Sequence, residues 1–357
     1  MKEKIKKILE EKQPQRAKEI ARRLNSTSRD INRILHANSK DFVQAEDCSW
    51  SLAPSAELVV AFPSKKWLST SQFEAALTAV ESPLESALPN VVFKLAPDTR
   101  ILLEVTARLL ALCNQLVDAG KSVTIDFREC RATSAYLNRV GFYDLLDPRV
   151  IILPLRPAAS TARALLGGNS AIVEVAKIDL QHRDNEIPRR LYRSLAEHLP
   201  AKTPLHTILG ELFDNIHEHS SSPIPGFVAL QCYKSGNDPH ISAVFSDNGS
   251  GIVGTLMPTL DASVVERLAA TGKREEIALI EAVFSGEQLS RMPDEGRGLG
   301  LKLTGSFAQK FNGSIIVRQE TFEVTMRHAG GKRTFTSRTG LRKMRGTHIC
   351  VKISLTQ

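Results

Sequence analysis

The stretch ISAVFSDNGSGI at residues 241–252 is the most informative part of this chain. Its first six residues are apolar or small, and they predict a short buried strand. Asp247 ends that strand, and Gly249 and Gly251 follow closely, so a carboxylate stands where the backbone can approach a ligand. Such a carboxylate can accept a hydrogen bond from an exocyclic amine. The same residues are ordinary turn chemistry, so a simple turn is the alternative for this stretch alone.

A second motif lies upstream, in the segment LHTILGELFDNIHEH at residues 205–219. Apolar residues recur there at intervals of three and four, which predicts a helix with one face in a core. These residues are Leu205, Ile208, Leu209, Leu212, Phe213 and Ile216. Glu211 and Asn215 are one turn apart and share a face. A carboxamide oxygen suits Mg²⁺, and a carboxylate can accept a proton from a water that attacks a phosphate. A solvated helix face is the alternative for this pair alone.

A third, glycine-rich segment precedes a helix that we predict at residues 299–311. Glycines before a helix allow backbone N–H groups and the positive helix end to face an anion. The segment consists of Gly296, Arg297, Gly298, Leu299, Gly300 and Leu301. Arg297 and Lys302 add positive charge beside it. Near the C-terminus, Gly346-Thr347 precedes HICVKISL, which reads as a strand.

In this order and spacing, the motifs resemble those of the GHKL ATPase superfamily, which includes gyrase, heat-shock chaperones, histidine kinases and MutL. The resemblance covers residues 190–357 and implies an α/β sandwich, a mixed sheet covered by helices, that binds ATP and Mg²⁺. It implies that Glu211 activates water, that Asn215 holds Mg²⁺, and that residues 254–295 form a mobile lid. The cofactor-binding set that it implies is Asn215, Asp247, Gly249, Gly251, Gly296, Arg297, Gly298, Leu299, Gly300, Leu301 and Thr347, with Asp247 and Thr347 at the adenine.

Composition limits the other possibilities. The chain has 357 residues, which predicts two or three domains, and its 42% of hydrophobic residues supports buried cores. It lacks both a run of eighteen apolar residues and an apolar N-terminal segment, so we expect no membrane span or signal peptide and a cytoplasmic location. The five cysteines lack CxxC spacing, which predicts neither disulfides nor zinc. The net charge of +8 favours anionic partners without choosing among nucleic acid, nucleotide and acidic protein.

Residues 1–54 are predicted to form a winged helix-turn-helix. The expected helices span residues 2–12, 17–24 and 28–37. The segments DFVQAE and SWSL then predict a hairpin around Asp47-Cys48. The predicted core consists of Ile20, Leu24, Ile31, Ile34, Leu35, Val43 and Leu52.

The third of these helices is predicted to contact DNA or another nucleic acid. Arg29, Asn32, Arg33 and His36 are expected on its exposed side, where basic and amide side chains fit phosphates and base edges. The helix and wing also resemble the Zα type of winged helix, which grips left-handed nucleic acid, with Asn32 and Trp50 at the positions of that family's key asparagine and tryptophan. His36 stands where a tyrosine is expected, and the wing lacks the usual prolines. A domain that docks only protein is the alternative.

Residues 55–157 alternate between strands and helices, which predicts a small α/β module. The expected strands span 58–62, 122–127 and 150–154, and the expected helices span 100–119 and 133–146. The module resembles STAS-like modules found ahead of GHKL domains in bacterial regulators. Ser134 is interpreted as a helix cap, with a phosphorylatable serine, as in anti-sigma antagonists, as the alternative. Residues 158–189 are interpreted as a connector with room for one strand.

A strongly basic segment lies at residues 327–345, where Gly330-Gly331 predicts a hairpin turn. Its basic residues are Arg327, Lys332, Arg333, Arg338, Arg342, Lys343 and Arg345, and it contains no acidic residue. Such a hairpin could lie along nucleic acid or contact the ATP phosphates of a neighbouring subunit. A solvated loop is the alternative.

The sequence therefore predicts a multidomain α/β protein with a winged helix, a STAS-like module and a GHKL domain at residues 190–357. We expect a homodimer in which MgATP sets the conformation or dimerisation of the C-terminal domain and thereby controls DNA binding through residues 1–54. A transcription regulator or a mobile-element or phage-defence component would suit this design, with ATP hydrolysis by Glu211 as the reset. The alternatives are an anti-sigma-type serine kinase with a regulatory protein partner, a sensor histidine kinase, and an ATP sensor that never hydrolyses.

Overall fold

The computed structural model describes residues 1–39, 41–53, 57–64, 66–199, 205–219, 222–235, 238–285 and 312–355. The chain divides into two compact units, Met1–Glu57 and Leu58–Gln357. All five cysteines are free. Within the described residues, no helix combines the length and the apolar character needed to cross a bilayer.

The first unit contains the helices and the hairpin that the sequence predicts. Its helices are Lys2–Glu11 (α1), Ala17–Leu24 (α2) and Ser28–Ala37 (α3). Its strands are Gln15–Arg16 (β1), Phe42–Gln44 (β2) and Ser49–Leu52 (β3), which form an antiparallel sheet of order β1-β3-β2. Helix α3 begins where it does because Thr27 Oγ1 accepts a hydrogen bond from the Asp30 N–H at 3.1 Å, which caps the helix.

A small apolar core holds this first unit together. Its fully or nearly buried members include Ile5, Leu9, Ile20, Ile31, Leu35, Phe42 and Trp50, while Leu24, Ile34 and Leu52 pack against them. The prediction that Val43 belongs to this core is wrong, because its side chain is 46% exposed. Side chains alternate along a strand, and Phe42 takes the inward position of β2 instead.

The second unit begins with a four-stranded sheet. Its strands are Glu57–Phe62 (β4), Asn90–Leu95 (β5), Ser122–Asp126 (β6) and Ile151–Leu153 (β7), in the order β4-β5-β6-β7. Strands β5, β6 and β7 pair in parallel. The associated helices are Thr70–Thr78 (α4), Leu103–Asp118 (α5), Arg131–Arg139 (α6), Phe142–Leu145 (α7) and Thr161–Ala164 (α8). The strands predicted for this module and its long helix are confirmed, whereas α4 and β5 were not predicted.

Two details of this module differ from the sequence-based expectation. The helix predicted over residues 133–146 is two helices, because the chain turns at Val140 and Gly141 before α7. Ser134 does not cap a helix, since α6 begins at Arg131 and Ser134 lies inside it. Its half-buried hydroxyl instead shares a 2.7 Å hydrogen bond with the Tyr143 hydroxyl.

The second unit also contains a seven-stranded sheet with its own helices. Its strands are Ile172–Ile178 (β8), Gly226–Tyr233 (β9), His240–Asp247 (β10), Gly313–Glu320 (β11), Phe322–Ala329 (β12), Lys332–Arg338 (β13) and Met344–Ser354 (β14). Their order is β13-β12-β11-β14-β10-β9-β8. Every pairing among these described strands is antiparallel, which corrects the expectation of a mixed sheet. Hairpin connections such as that between β9 and β10 require antiparallel neighbours.

Five helices lie between the described strands of the seven-stranded sheet in the chain order. They are Glu186–His198 (α9), Leu205–His219 (α10), Gly251–Leu256 (α11), Ala262–Ala269 (α12) and Glu275–Ser285 (α13), with a 3-10 turn at Met257–Thr259. The helix predicted at residues 205–219 is thus confirmed. The helix predicted at residues 299–311 lies outside the described residues.

The seven-stranded sheet is covered on both faces. Ala243 and Phe245 of β10 face the core that contains helices α9, α10, α12 and α13. Val244, between them, faces the opposite core, which belongs to the four-stranded module and includes most of α5. Helix α5 contacts β10 and β14 directly. The four-stranded module therefore packs against the back of the seven-stranded sheet.

The predicted connector and the predicted lid have different outcomes. Strand β8 is the one strand for which the connector at residues 158–189 had room, and it pairs with β9 as an edge strand of the seven-stranded sheet. In the predicted lid at residues 254–295, α13 is buried in the core from Ile277 to Ile280. The apolar run IALIEAVF explains this burial, and it contradicts free movement for that helix. Residues 286–295 lie outside the described part of the chain.

The basic hairpin is confirmed as β12 and β13, which are joined at Gly330-Gly331. Some of the basic side chains in the predicted segment at residues 327–345 form contacts within the molecule. Arg338 lies 3.6 Å from Glu323, Arg345 forms a 2.8 Å ion pair with Asp118, and Arg342 donates to the Thr78 carbonyl at 3.0 Å. Arg327, Lys332 and Arg333 are exposed near the turn.

Candidate functional site

Asp247 and Thr347 lie opposite each other where β10 and β14 meet. They are paired residues in the antiparallel register of these two strands, Asp247 half-buried and Thr347 buried. Asp247 Oδ1 accepts a hydrogen bond from the Gly249 N–H at 3.0 Å, which forms the turn that its sequence predicts. The second carboxylate oxygen has no hydrogen-bond partner among the described residues. The two residues that the resemblance assigns to adenine therefore come together at one end of the sheet.

Two glycines allow the backbone to close around this pair. Gly346 has φ +79°, and a Cβ placed on it would lie 2.0 Å from the Asp247 carbonyl oxygen. Gly251 has φ +70°, and a Cβ there would lie 2.2 Å from the side-chain amide of Gln319 and 3.0 Å from Thr347 Oγ1. Only glycine fits both the backbone angle and the space at these positions.

We expect Gly346→Ala to destabilise the second unit by at least about 3 kcal/mol, because left-handed strain and a backbone clash add together. Gly340→Ala is the matched control, since Gly340 has φ +69° and open space around its Cβ position. That control should cost only about 1–2 kcal/mol. Urea unfolding of both variants measures the difference, and equal losses would show that the close approach to Asp247 carries no cost.

Thr347 and a glutamine that was not predicted hold the start of α11. Thr347 Oγ1 accepts from the Ile252 N–H at 3.0 Å. Gln319 on β11 is buried beside it, and its amide oxygen, oriented to satisfy both donors, accepts from Val253 at 3.1 Å and Ile252 at 3.3 Å. The segment after Asp247 is therefore tied to β14 and β11. Gln319 carries no local sequence signal, because its role depends on strand register.

The part of helix α10 that carries Asn215 lies near the same end of the sheet. Its apolar residues, from Ile208 to Ile216, are buried in the core, which leaves both polar residues half-buried on the other side. Gly226 shows how close the elements come, since a Cβ there would lie 2.5 Å from Ile216 Cγ2 and 2.8 Å from the Ser246 carbonyl oxygen. Ile216 and Ser246 adjoin Asn215 and Asp247 in sequence. The described structure thus brings the helical motif and the strand motif together.

The donor set at this place fits a nucleotide and a divalent cation. The Asn215 amide nitrogen is buried without a hydrogen-bond partner among the described residues, and such a group is costly unless a ligand satisfies it. Because the two ends of a carboxamide are assigned from their partners, Asn215 can present its oxygen to a hard cation. Asp247 offers a carboxylate acceptor for an amine. The predicted phosphate-binding residues 296–301 lie outside the described part of the chain, so their role stays a prediction.

A second buried network supports the same motifs from the opposite face of the sheet. His348 follows Thr347, and its Nδ1 lies 2.7 Å from Ser246 Oγ while its Nε2 lies 3.0 Å from the Arg345 carbonyl oxygen. Burial, reinforced by Arg318 and Arg108, lowers the pKa of His348 to about 3. The ring is therefore neutral near pH 7, with Nε2 donating to Arg345 and Nδ1 accepting from Ser246. Asn248 and Gln115 join this network, and local sequence patterns signal neither of them.

In the first unit, the predicted nucleic-acid residues differ in exposure. Arg29, Arg33 and His36 are exposed on α3, and Asn32 is half-buried with its Oδ1 lacking a partner among the described residues. Trp50 is only 2% exposed, and its ring meets His36 edge-on at a centroid distance of 4.8 Å. The predicted face thus consists of exposed basic side chains above a buried indole.

Comparison with known proteins gives one result for the second unit. Residues 201–357 match the family model described as histidine kinase-, DNA gyrase B-, and HSP90-like ATPase. Neither the comparison with curated proteins nor that with solved structures gave a match. The match contains α10, the Asp247 turn and Thr347, and it supports the GHKL resemblance and ATP binding there. The C-terminal part of the chain, residues 201–357, is thus similar to the ATP-binding domains of histidine kinases, DNA gyrase B and HSP90.

Proposed function

We propose that the second unit binds MgATP between α10 and the ends of β10 and β14. The observation that carries this proposal is the pairing of Asp247 with Thr347 on adjacent strands, with glycine backbone packed closely around them. A turn without a ligand would not need Gly346 to lie so close to the Asp247 backbone. The family match to residues 201–357 supports the same conclusion independently.

Each residue at this place then has a chemical task. The carboxylate oxygen of Asp247 that does not bond to Gly249 accepts a hydrogen bond from the exocyclic amine of adenine, and the Thr347 hydroxyl orients the same edge of the base. The Asn215 carboxamide holds Mg²⁺, which neutralises phosphate charge when it is bound. Glu211, one turn earlier on α10, accepts a proton from the attacking water. We propose that this hydrolysis is slow and returns the protein to its nucleotide-free conformation.

Titration calorimetry of the full chain with MgATP and MgGTP tests the binding step directly. We expect saturable heat with MgATP and little with MgGTP, because guanine presents a carbonyl oxygen where adenine presents its amine. Repeating the titration in EDTA should weaken ATP binding, since Asn215 would lose its cation. Absence of heat with every adenine nucleotide, together with no thermal shift, would rule out the site.

We further propose that the first unit is a winged helix that binds nucleic acid through α3. Arg29, Arg33 and His36 are exposed there, and both neighbouring buried polar atoms, Asn32 Oδ1 and Trp50 Nε1, lack partners among the described residues. Exposed cations supply phosphate contacts, and an unpaired carboxamide oxygen is a ready acceptor for a ligand group. His36 packs against Trp50 at the position where the Zα resemblance implies a tyrosine, so it is a departure from that family's pattern.

Coupling between the two activities is the regulatory part of the proposal. DNA affinity, measured by fluorescence anisotropy across a salt series, should change when MgATP is added. Arg29→Ala should reduce the slope of log affinity against log salt by about 0.9, the contribution of one phosphate contact. Lys12→Ala, which removes a charge after α1, is the control and should leave the slope unchanged. Identical DNA affinity with and without MgATP would contradict coupling, even if both ligands bind.

A further inference from the structure

Gln115 on α5 makes three hydrogen bonds with the segments that carry the two adenine motifs. Its Oε1 accepts from the Arg345 N–H at 2.9 Å, and its Nε2 donates to the Arg345 carbonyl oxygen at 2.9 Å. Nε2 also donates to Asn248 Oδ1 at 2.8 Å. Gln115 is fully buried, so water cannot replace these bonds. It belongs to the four-stranded module, and the partners belong to the seven-stranded sheet.

Both partners of Gln115 are sequence neighbours of the candidate adenine-binding residues. Asn248 directly follows Asp247, and Arg345 directly precedes Gly346-Thr347. The remaining donor of Asn248, its Nδ2, bonds to the Pro225 carbonyl oxygen at 3.1 Å. The Arg345 backbone fixes which end of the Gln115 amide is oxygen, and that in turn fixes Asn248. One side chain thereby links both strand ends that present a candidate adenine contact.

Two further sets of contacts hold α5 against the sheet. Arg345 Nη1 forms a 2.8 Å ion pair with Asp118, which lies one turn beyond Gln115. At the other end, Arg108 of α5 bonds at 2.6 Å to both Glu74 and Glu323. Arg318 of β11 completes this buried cluster at 3.0 Å from Glu74. Each charged group in the cluster has a partner of opposite charge, so the cluster favours one position of α5 on the seven-stranded sheet.

We propose that Gln115 is a positioning residue for the adenine pocket, so that the four-stranded module determines the affinity and base selectivity of the nucleotide site. Gln115 holds the Asp247 turn and the Thr347 strand at a fixed separation from behind the sheet. A shift of α5 would move both contacts together, which gives the module a direct route to regulate nucleotide binding. This proposal rests on the proposed ATP site and names what controls it.

Gln115→Met tests this role, because methionine keeps the volume of the side chain and removes all three hydrogen bonds. We expect the dissociation constant for MgATP to rise about tenfold, the usual effect of losing one to two buried hydrogen bonds. MgADP should lose the same factor, since the change lies at the adenine end. The preference for ATP over GTP should fall as well, because the Asp247 turn is no longer held in place. Calorimetry with the three nucleotides measures all of these quantities.

Asn114→Leu is the matched control on the same helix. Asn114 makes two half-buried hydrogen bonds. Its Nδ2 donates to the Leu145 carbonyl oxygen at 3.0 Å, and its Oδ1 accepts from the Asp147 N–H at 2.9 Å. Both partners lie within the four-stranded module. This variant should lose stability like Gln115→Met while keeping the affinity and selectivity of the unaltered protein. If Gln115→Met lowers the unfolding temperature but leaves the ATP-to-GTP ratio unchanged, the residue is structural and the proposal fails.

Two further measurements separate the possible failures. If the unaltered protein binds no nucleotide, the ATP site itself is refuted, whereas normal binding by Gln115→Met refutes only the positioning role. Should Gln115→Met not fold, Gln115→Asn keeps an amide but withdraws it from both partners, and the same changes are expected. In the unaltered protein, hydrogen exchange at the Arg345 amide should slow when MgATP binds, and an unchanged rate would also contradict the proposal.

Discussion

Replacing Asp247 with asparagine is expected to weaken MgATP binding about a hundredfold. Asparagine keeps an oxygen that can accept from the Gly249 N–H, so the turn after β10 should survive. Its second atom becomes an N–H donor that faces the donor amine of adenine, and the charge is lost. A charge-assisted bond replaced by two opposed donors costs about 2–3 kcal/mol, which corresponds to roughly that factor. Calorimetry with MgATP measures the loss.

Asp238→Asn provides the control for this substitution. Asp238 precedes the same strand at its opposite end and is 81% exposed, so the same chemical change there should leave nucleotide affinity unaltered. Unfolding curves for both variants show whether the fold persists. An Asp247→Asn protein that is folded and binds MgATP normally would remove Asp247 from the site and with it the assignment of the adenine end.

Glu211→Gln should slow ATP hydrolysis by about 10²–10⁴-fold while leaving MgATP affinity within a factor of two. The amide cannot accept a proton from water, but it has nearly the same shape, so binding and folding should persist. Phosphate release under single-turnover conditions measures the chemical step. Labelling of the γ-phosphate in the same experiment tests the kinase alternative, which predicts a stable phosphoprotein that hydrolysis does not.

Asp214→Asn is the companion variant on the same helix. Asp214 is also a half-buried carboxylate on α10, but it is engaged in a 2.8 Å ion pair with Arg183. Its replacement should change hydrolysis little. Equal hydrolysis rates in the Glu211→Gln variant and the unaltered protein would exclude Glu211 as the base, and absence of hydrolysis in both would favour the ATP sensor.

Local pattern explains which parts of the fold could be predicted. Helix α10 shows apolar residues at intervals of three and four, and β10 is a short apolar run that ends in turn residues, so both follow from neighbouring residues alone. The buried run that forms α13 has no clear period, and Gly, Ser and charge around it suggested a lid instead. Strand β8 is the one strand for which the predicted connector had room. Its pairing with β9 could not be predicted, because the partner residues lie about fifty positions away.

The site residues also fall into those that a local sequence pattern predicts and those that it does not. Asp247, Thr347, Glu211 and Asn215 lie in motifs whose spacing is visible in the sequence. The described structure pairs Asp247 with Thr347 and packs Ile216 of α10 beside the end of β10. Gln115 could not be found in that way, since it meets Asn248 and Arg345 across 133 and 230 residues of chain. Such partners depend on how two sheets pack, which no local period encodes.

The buried cluster of Glu74, Arg108, Arg318 and Glu323 has a practical consequence for how this protein can be divided. A fragment that starts at residue 172 would retain the seven strands but strip Arg318 and Glu323 of Glu74 and Arg108. Both charged side chains would then lie, without these partners, on a face that the four-stranded module covers in the full chain. The bare apolar back of the sheet, including Phe227 and Val244, would also invite aggregation. A fragment for crystallisation or screening of the nucleotide site should therefore contain the whole second unit and start near residue 58.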